Sequence, residues 1–414
     1  MLLIAEWVYT YNIKEVPIMS NLKISDIKAF WCGASPFTKV YTNEGITGIG
    51  ENVIHHEGIL AGQVELLKNL LIGEDPMNIE RLWRRMLNAT AFEYAPSMIS
   101  AVDCALWDIK AKKLGVPVYQ LLGGLYRDRV RVYPHLRGTW NSFPDKNTDY
   151  LYSIPWGSVR YTPKELGQNA MELVEEGYTA IKFDPFEPGI DGYHSYRPHE
   201  ILAAVERVAA IRDAVGNEID LLVECHGKFN AGTAVKIGKM LEEFNLMWFE
   251  EPVPVGMADA MKEVRRHVNI PIAAGERFNS KTELKEYLEK GALDILMFDC
   301  GKCGGITEAM KLCAMCEAYQ IKAAPHNPFG PVAAMANAQL SAAVPSFLIL
   351  EHEEMAPWAV TPPIKIVAGY IEIPATPGLG IDINEEEIAR HQAKIADGTY
   401  KPYRLDLEKF VPLL

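Results

Sequence analysis

The chain has 414 residues, 49% hydrophobic and 23% charged, which is the composition of a globular protein of about two or three domains. Its formal net charge of −13 argues against a nucleic-acid-binding protein and against binding to an anionic membrane surface. The sequence has no apolar run near the roughly 20 residues of a membrane-spanning helix, and residues 1–18 lack the basic start of a signal peptide. We therefore expect a cytoplasmic protein with an N-terminal extension over residues 1–18, and Met19 is a candidate for the true start.

The first part of the chain predicts an α+β domain. Residues 20–55 alternate between apolar and polar side chains around an Asn-Glu-Gly turn, which predicts a pair of strands. Helical spacing follows at about 57–72, 77–88 and 95–114. Because strands followed by a run of helices are typical of a separate domain, we assign residues 19–129 to it.

From residue 130 to residue 358, short apolar strands alternate with helical stretches. The strands are predicted at 130–136, 180–186, 220–227, 247–252, 270–276, 294–301, 321–328 and 347–353. Eight such units predict a β/α barrel with its active site at the carboxyl ends of the strands. The eighth strand has no clear helix after it, so we expect an irregular closure. The segment 359–414 is rich in proline and glycine near its start, and we expect it to pack on the first domain.

Three of the predicted strands end in a glutamate. Glu224, Glu250 and Glu276 are separated by equal intervals of 26 residues (250 − 224 and 276 − 250). Parallel strands bring their carboxyl ends to one edge, where three carboxylates repel one another unless a cation lies between them. Acidic oxygen ligands favour a hard divalent ion, Mg²⁺ first. The alternative is three ordinary acidic residues, which the repeated spacing disfavours.

Other strand ends carry groups that can move a proton. Lys182 and Asp184 follow the second strand, Asp299 ends the sixth and His326 ends the seventh. A carboxylate beside an imidazole orients it and raises its basicity, so the Asp299–His326 pair is a candidate general base. His226 lies two residues beyond the first of the three glutamates, faces the same side and is a candidate acid. The alternative for each histidine is a structural role.

The seven cysteines include two pairs with zinc-like spacing, Cys300/Cys303 and Cys313/Cys316. Without an export signal, an odd number of cysteines indicates reduced thiols. The second pair lies in an apolar helical stretch, where cysteine behaves as a small hydrophobic residue. We therefore disfavour zinc.

The chain resembles the enolase superfamily over nearly its whole length. The motifs that carry the resemblance are VECHGKFN, FEEPVP, AAGER, DCGKCGGI and APHNPFGP. They are most similar to the acid-sugar dehydratases of the mandelate-racemase-type subgroup. The resemblance implies an α/β fold, with a modified (β/α)₈ barrel at 130–358. An α+β capping domain would be formed by residues 19–129 and 359–414.

The resemblance also implies roles for residues that match the motifs. The three glutamates would be the Mg²⁺ ligands, and Asp299 with His326 would form the base dyad. His226 matches the acid of galactonate- and gluconate-type dehydratases. Glu351 matches a residue that contacts the substrate beyond the eighth strand. Relatives usually form dimers or octamers, so the resemblance implies a homo-oligomer.

The sequence departs from the family pattern at two positions. Many relatives carry aspartate at the first ligand, where this chain has the longer Glu224. Racemases and cycloisomerases of the subgroup often carry Lys-x-Lys on the second strand, where this chain has Lys182 and Asp184. The loss of the second lysine favours elimination over racemisation. We also expect Lys182, Asp184 and Trp358 to bind substrate.

These observations predict a Mg²⁺-dependent dehydratase that acts on a small-molecule sugar acid. Gluconate or galactonate would give a 2-keto-3-deoxy sugar acid, and the loops at 137–162 and 185–198 are candidate walls of the substrate pocket. One alternative is an epimerase or cycloisomerase of the same superfamily. The other is a barrel that binds a sugar acid without catalysis.

Overall fold

The computed structural model describes residues 21–31, 36–53, 57–89, 96–136, 161–186, 196–353 and 356–399. The predicted N-terminal extension, Cys32 and most of the two predicted pocket loops lie outside the described residues. Within these ranges, no helix is both long and apolar enough to cross a lipid bilayer.

The N-terminal domain is a three-stranded antiparallel sheet covered by helices. Its strands, in sheet order, are β1 (Ile24–Trp31), β2 (Pro36–Thr42) and β3 (Thr47–Glu51). Its helices are α1 (Glu57–Leu71), α2 (Ile79–Ala89), α3 (Pro96–Leu114) and the short α4 (Val118–Leu121). The three longer helices were predicted. The predicted turn that contains Gly45 (φ +79°) joins β2 to β3. The sequence indicated a pair of strands where the structure has three, because β1 is a separate strand that pairs with β2.

Strand β3 packs directly on the backbone of α3. A Cβ atom added at Gly48 would lie 2.0 Å from the carbonyl oxygen of Ala105, and one at Gly50 would lie 1.8 Å from that of Ala101. Only glycine allows this approach. Strand and helix therefore form one closely packed unit.

The second domain is a closed barrel of eight parallel strands. They are β4 (Arg129–Tyr133), β5 (Ala180–Phe183), β6 (Asp220–Glu224), β7 (Trp248–Glu250), β8 (Ile272–Ala274), β9 (Ile295–Leu296), β10 (Lys322–Ala323) and β11 (Leu350–Glu351). Strands β5 to β10 pair in sequence order, and β11 pairs with β4. Parallel bridges between His135 and Lys182 and between Ala323 and Phe347 close the ring. All eight predicted strands are confirmed, although the paired segments are shorter.

Seven helices of the barrel follow its first seven strands. They are α5 (Pro163–Glu175), α6 (Pro198–Val215), α7 (Ala231–Leu241), α8 (Ala258–His267), α9 (Lys281–Lys290), α10 (Gly305–Ala318) and α11 (Pro331–Ala343). Helix α5 begins with a capping box between Thr162 and Glu165, and α9 ends at Gly291 in the left-handed region. A 3₁₀ turn (Glu242–Phe244) follows α7, and another (Pro357–Ala359) follows β11. The irregular end after the eighth strand therefore agrees with the sequence prediction.

The C-terminal segment contacts both domains. It contains β12 (Val360–Thr361), β13 (Ile366–Val367), β14 (Tyr370–Glu372), β15 (Asp382–Ile383) and α12 (Glu385–Ala396). Strand β14 pairs antiparallel with β4 of the barrel. Helix α12 reaches the N-terminal sheet, where Gln392 donates a hydrogen bond to the Trp31 carbonyl (2.9 Å) and Glu385 pairs with Lys39 (2.7 Å).

The barrel interior is filled by apolar side chains from its strands. This cluster contains Tyr133, Ala180, Leu222, Trp248, Ala273, Ile295, Met297, Ala324 and Ile349. Tyr133 and Trp248 pack edge to face, with ring centroids 5.6 Å apart. The interior is thus a packed floor beneath the carboxyl ends of the strands.

We expect Gly50→Ala to lower the melting temperature, because the new methyl group must push β3 away from α3. Overpacking of this kind typically costs about 1–3 kcal/mol. The matched control is Gly62→Ala, at an exposed position of α1 where an added Cβ meets nothing within 4 Å. There alanine is about 1 kcal/mol more favourable in a helix than glycine. Thermal unfolding measures both variants, and an unchanged melting temperature for Gly50→Ala would contradict the close packing.

Candidate active site

The alternation of side chains along the strands determines which polar residues face the barrel mouth. Side chains two residues apart face the same side, so the residue two positions beyond an interior side chain faces the mouth. These residues are His135, Lys182, Glu224, Glu250, Asp299, His326 and Glu351. Glu276 is the exception: Ala273 is interior, and Gly275 (φ +124°) interrupts the alternation before it.

The three predicted metal ligands, Glu224, Glu250 and Glu276, meet at the mouth and are called the carboxylate triad. One oxygen from each lies within 4.8 Å of the others, and all three residues are buried. Among the described residues, no other group of three or more histidine, cysteine, aspartate or glutamate side chains converges in this way. The equal spacing in the sequence therefore corresponds to one shared position.

Neighbouring groups fix two members of the triad. Oε1 of Glu224 accepts the backbone N–H groups of Cys225 (2.9 Å) and His226 (2.6 Å). This local bonding accompanies a left-handed backbone at His226 (φ +48°), which is unusual for a residue other than glycine. Glu250 accepts the indole N–H of Trp248 (2.9 Å). Oε2 of Glu224 is buried and accepts no hydrogen bond within the described part of the chain.

The electrostatics of the triad fit a bound cation. Burial, with the charge of Glu224 added to it, raises the pKa of Glu250 well above its usual range. Burial also disfavours the charged form of Glu276, but His326 outweighs it and holds the pKa of Glu276 well below the usual range. Three such groups cannot all be charged at this distance without a positive partner. Together with the unbonded oxygen of Glu224, this donor set suits a hard divalent ion.

Lys182 supplies a fixed positive charge beside the triad. Its buried Nζ lies 3.1 Å from Glu250, 3.1 Å from Glu351 and 3.6 Å from Glu224. Burial alone would lower the pKa of Lys182, but Glu250 and Glu351 raise it well above the ordinary value. The ammonium group therefore stays charged and offsets part of the negative charge of the site.

The predicted dyad is formed. Nδ1 of His326 lies 2.8 Å from Oδ2 of Asp299, and its Nε2 lies 2.9 Å from Oε2 of Glu276. Burial would lower the pKa of His326, but Glu276 outweighs it, and the pKa rises to about 9. A cation held by the triad would offset the charge of Glu276 and bring this pKa down toward neutrality. His326 thus has its orienting partner on one nitrogen and faces the triad with the other.

His226 has a carboxylate partner of its own. Its Nδ1 lies 2.7 Å from Oδ2 of Asp184, a buried residue just beyond β5. Lys228, which sequence reasoning missed, donates to the same oxygen. Burial lowers the pKa of His226, although Glu224 and Asp184 partly oppose this effect. Lys228 lies inside the VECHGKFN motif, so the motif could have identified it as a site residue from the sequence.

Glu351 lies close to both Lys182 and His326. Besides Lys182, it contacts Nε2 of His135 (2.6 Å), and its Oε2 lies 4.0 Å from Nε2 of His326. Burial would raise the pKa of Glu351, but Lys182 and His326 hold it well below the usual range. Sequence reasoning missed His135, although it ends the first barrel strand and the strand-end rule would have found it.

The remaining candidates from the sequence are Trp358 and the cysteines. Trp358 stacks on His391 of α12, with ring centroids 3.4 Å apart, so one face of its indole is covered by the C-terminal segment. The four cysteines of the two CxxC pairs are buried with free thiols. Burial raises the pKa values of all four thiols, to about 12 for Cys316, which disfavours the thiolates that zinc requires.

We expect Glu250→Gln to abolish the stabilisation that a divalent cation gives. At a concentration of about 100 times Kd, a cation that binds only the folded state adds about 2.7 kcal/mol, which raises the melting temperature. Without added cation, the variant should be about as stable as the original, because burial and the charge of Glu224 already disfavour the charged form of Glu250. The control is Glu308→Gln, a buried carboxylate that pairs with Lys281 (2.9 Å) outside the site and should retain the cation response. Thermal unfolding and calorimetry with Mg²⁺ and Mn²⁺ measure both effects, and an undiminished response in Glu250→Gln would contradict the assignment.

The sequence matches known families over both domains. Residues 35–123 match the mandelate racemase/muconate lactonizing enzyme N-terminal domain, and residues 165–387 match the enolase C-terminal domain-like family. A solved structure, the mandelate racemase/muconate lactonizing enzyme from Sulfitobacter sp., superposes with a TM-score of 0.80 at 32% identity. It covers 89% of this chain and 95% of that one. A member of the enolase superfamily from Salmonella Typhimurium gives 0.79 at 31% identity, covering 89% and 98%.

Curated relatives match most of the chain. The D-gluconate dehydratase of Thermoproteus tenax is 34% identical over 398 residues, which cover 93% of this chain and 75% of that protein. The D-galactonate dehydratase of Ralstonia pickettii is 36% identical over 376 residues, covering 87% and 92%. Dehydratases are carbon–oxygen lyases, and matches of this extent place the chain in that class of enzyme. The chain therefore belongs to the mandelate racemase/muconate lactonizing enzyme family of the enolase superfamily.

Proposed function

We propose that the protein is a Mg²⁺-dependent dehydratase that converts an aldonate, such as gluconate or galactonate, into a 2-keto-3-deoxy sugar acid. The observation that carries the proposal is the pair of imidazole–carboxylate units that flank the carboxylate triad. The strand order places Asp184 and His226, after β5 and β6, on one side of it. It places Asp299 and His326, after β9 and β10, on the other. Removal of water needs one base and one acid in this relation to an anionic substrate.

The triad residues would hold the Mg²⁺ ion. When bound, the ion would offset the negative charge that develops on the substrate carboxylate as the α-proton leaves. Lys182 adds a second positive charge next to the triad, 3.1 Å from Glu250. The carboxylate triad suits Mg²⁺ because each of its donor atoms is a carboxylate oxygen.

The two histidines then divide the proton transfers. Asp299 occupies Nδ1 of His326, so Nε2 takes the proton from C2 and the electron pair of the C–H bond forms an ene-diolate. Asp184 occupies Nδ1 of His226, so its Nε2 gives a proton to the 3-hydroxyl group. The C3–O bond breaks, water leaves and the resulting enol becomes the 2-keto acid when C3 gains a proton.

The partner of His226 favours elimination over epimerisation. A second base on the β5 side would be needed to return a proton to the other face of C2. That position holds Asp184, whose carboxylate is occupied by His226 and Lys228. Burial would raise the pKa of Asp184, but these two partners lower it, so it remains an anion that orients an acid.

We expect His326→Asn to lower kcat by about 10²- to 10⁴-fold, the usual contribution of a general base. The variant should also stop exchange of the α-proton in deuterated buffer, since no group is left to remove it. His267→Asn is the control: this exposed histidine of α8 pairs with Glu263 (3.3 Å) far from the chemistry and should keep full activity. The measurements are keto-acid formation and proton NMR of recovered aldonate, and survival of both activities in His326→Asn would refute the base assignment.

His226→Asn should separate the two steps. We expect it to block the loss of water while exchange of the α-proton continues, because His326 and Asp299 are intact. Mass spectrometry identifies the product of the parent enzyme, which must be lighter than the substrate by one water. A product of unchanged mass would instead establish the epimerase or cycloisomerase alternative, and equal loss of exchange and elimination in His226→Asn would exclude a separate acid.

A further inference from the structure

Both members of the base dyad lie just before helices whose first turns have no side-chain cap of their own. His326 precedes α11, and Asp299 precedes α10. The N-cap residues of these helices are Gly330 and Gly304, and neither offers a side chain to the free N–H groups of the first turn. A buried helix start of this kind needs acceptors from elsewhere.

The N-terminal domain supplies the acceptors for α11. Glu51, the last residue of β3, is 2% exposed. Its Oε1 accepts the N–H of Gly330 (2.7 Å), and its Oε2 accepts those of Val332 (3.1 Å) and Ala333 (2.9 Å). One carboxylate thus satisfies three backbone donors only four to seven residues after His326, and it stands at the positive end of the helix dipole.

The same domain supplies the acceptors for α10. Asp103 of α3 is fully buried and accepts both the backbone N–H of Thr307 (2.9 Å) and its hydroxyl (2.5 Å). Ser100, one turn earlier, accepts the N–H of Gly304 (2.9 Å). A Cβ atom added at Gly305 would lie 2.4 Å from Asp103 Oδ2, so glycine is required there.

Short connections join these caps to the dyad. The backbone N–H groups of Lys302 and Cys303 donate to the Asp299 carbonyl (2.9 and 2.8 Å), and the N–H of Gly301 donates to its side chain (2.6 Å). A Cβ atom added at Gly301 would meet Val53, two residues beyond Glu51, at 3.5 Å. The tight turn from residue 299 to residue 304 therefore cannot move without moving Asp299.

We propose that Glu51 and Asp103 are positioning residues for the base dyad. They lie on β3 and α3, which the glycines of β3 bring into backbone contact, so one rigid unit of the N-terminal domain fixes the distance between the two helix starts. That distance sets the hydrogen bond between Asp299 and His326. The proposal rests on the proposed function, because it assumes that this pair is the base.

Glu51→Gln and Asp103→Asn test the proposal, since each removes at least one acceptor from one helix start. Asp108→Asn is the matched control. This carboxylate is also fully buried in α3 and accepts two backbone N–H groups, from Ile49 (3.1 Å) and Leu379 (2.8 Å), but it touches neither helix start. All three variants should lose stability.

Only the first two variants should lose catalysis. A misplacement of about 1 Å can cost about 100-fold in rate, so kcat should fall by about that factor in Glu51→Gln and Asp103→Asn. KM and the Kd for Mg²⁺ should stay within about threefold, because the groups that bind substrate and cation are not moved. A decrease in kcat no larger than that of Asp108→Asn would overturn the proposal. If Glu51→Gln does not fold, Glu51→Asp, which keeps the charge on a shorter side chain, should give a smaller decrease of the same kind.

Amide hydrogen exchange read by mass spectrometry tests positioning without reference to activity. Glu51→Gln should raise exchange in residues 326–334, Asp103→Asn should raise it in residues 299–308, and Asp108→Asn should change neither. Unchanged exchange in both segments would overturn the proposal. If the parent protein converts no aldonate, the proposed function fails, while this exchange pattern still decides whether the two carboxylates fix the helix starts.

Discussion

Mutual repulsion among three buried carboxylates is the constraint on which the rest of the site depends. One oxygen from each member of the triad lies within 4.8 Å of the other two. The fold tolerates this only because positive groups surround the triad: Lys182 on one side and His326 on the other. A cation between the three oxygens would replace much of that compensation and free His326 to act as a base. Cation binding and base strength are therefore properties of the same small cluster.

The barrel and the N-terminal domain make different contributions to this cluster. The barrel sets which side chains face the mouth, because its interior layer determines the residue two positions further along each strand. It does not by itself fix the loops that carry Asp299 and His326 into their helices. The N–H groups at the starts of those two helices donate hydrogen bonds to Asp103 and Glu51. In the proposal made above, the N-terminal domain therefore fixes the relative positions of Asp299 and His326.

The sequence predicted those parts of the site that depend on local order along the chain. Equal spacing and strand periodicity were enough to bring the triad together, and strand ends identified Asp299 and His326. The partner of His226 could not be predicted in the same way, because Asp184 is 42 residues away and the two meet only when β5 and β6 pair. Glu51 gave no signal either, since its role depends on how two domains dock.

Under the proposed function, one residue of the second barrel strand favours elimination over racemisation. Where racemases and cycloisomerases of the subgroup often have a second lysine, this chain has Asp184, two residues after Lys182. Under the proposed function, a lysine there would exchange protons with C2, whereas the buried Asp184 is occupied by His226 and Lys228. It instead turns the imidazole so that Nε2 is the available nitrogen. In the proposed reaction, Lys182 supplies positive charge beside Glu250, and Asp184 orients His226 as the acid for the departing hydroxyl group.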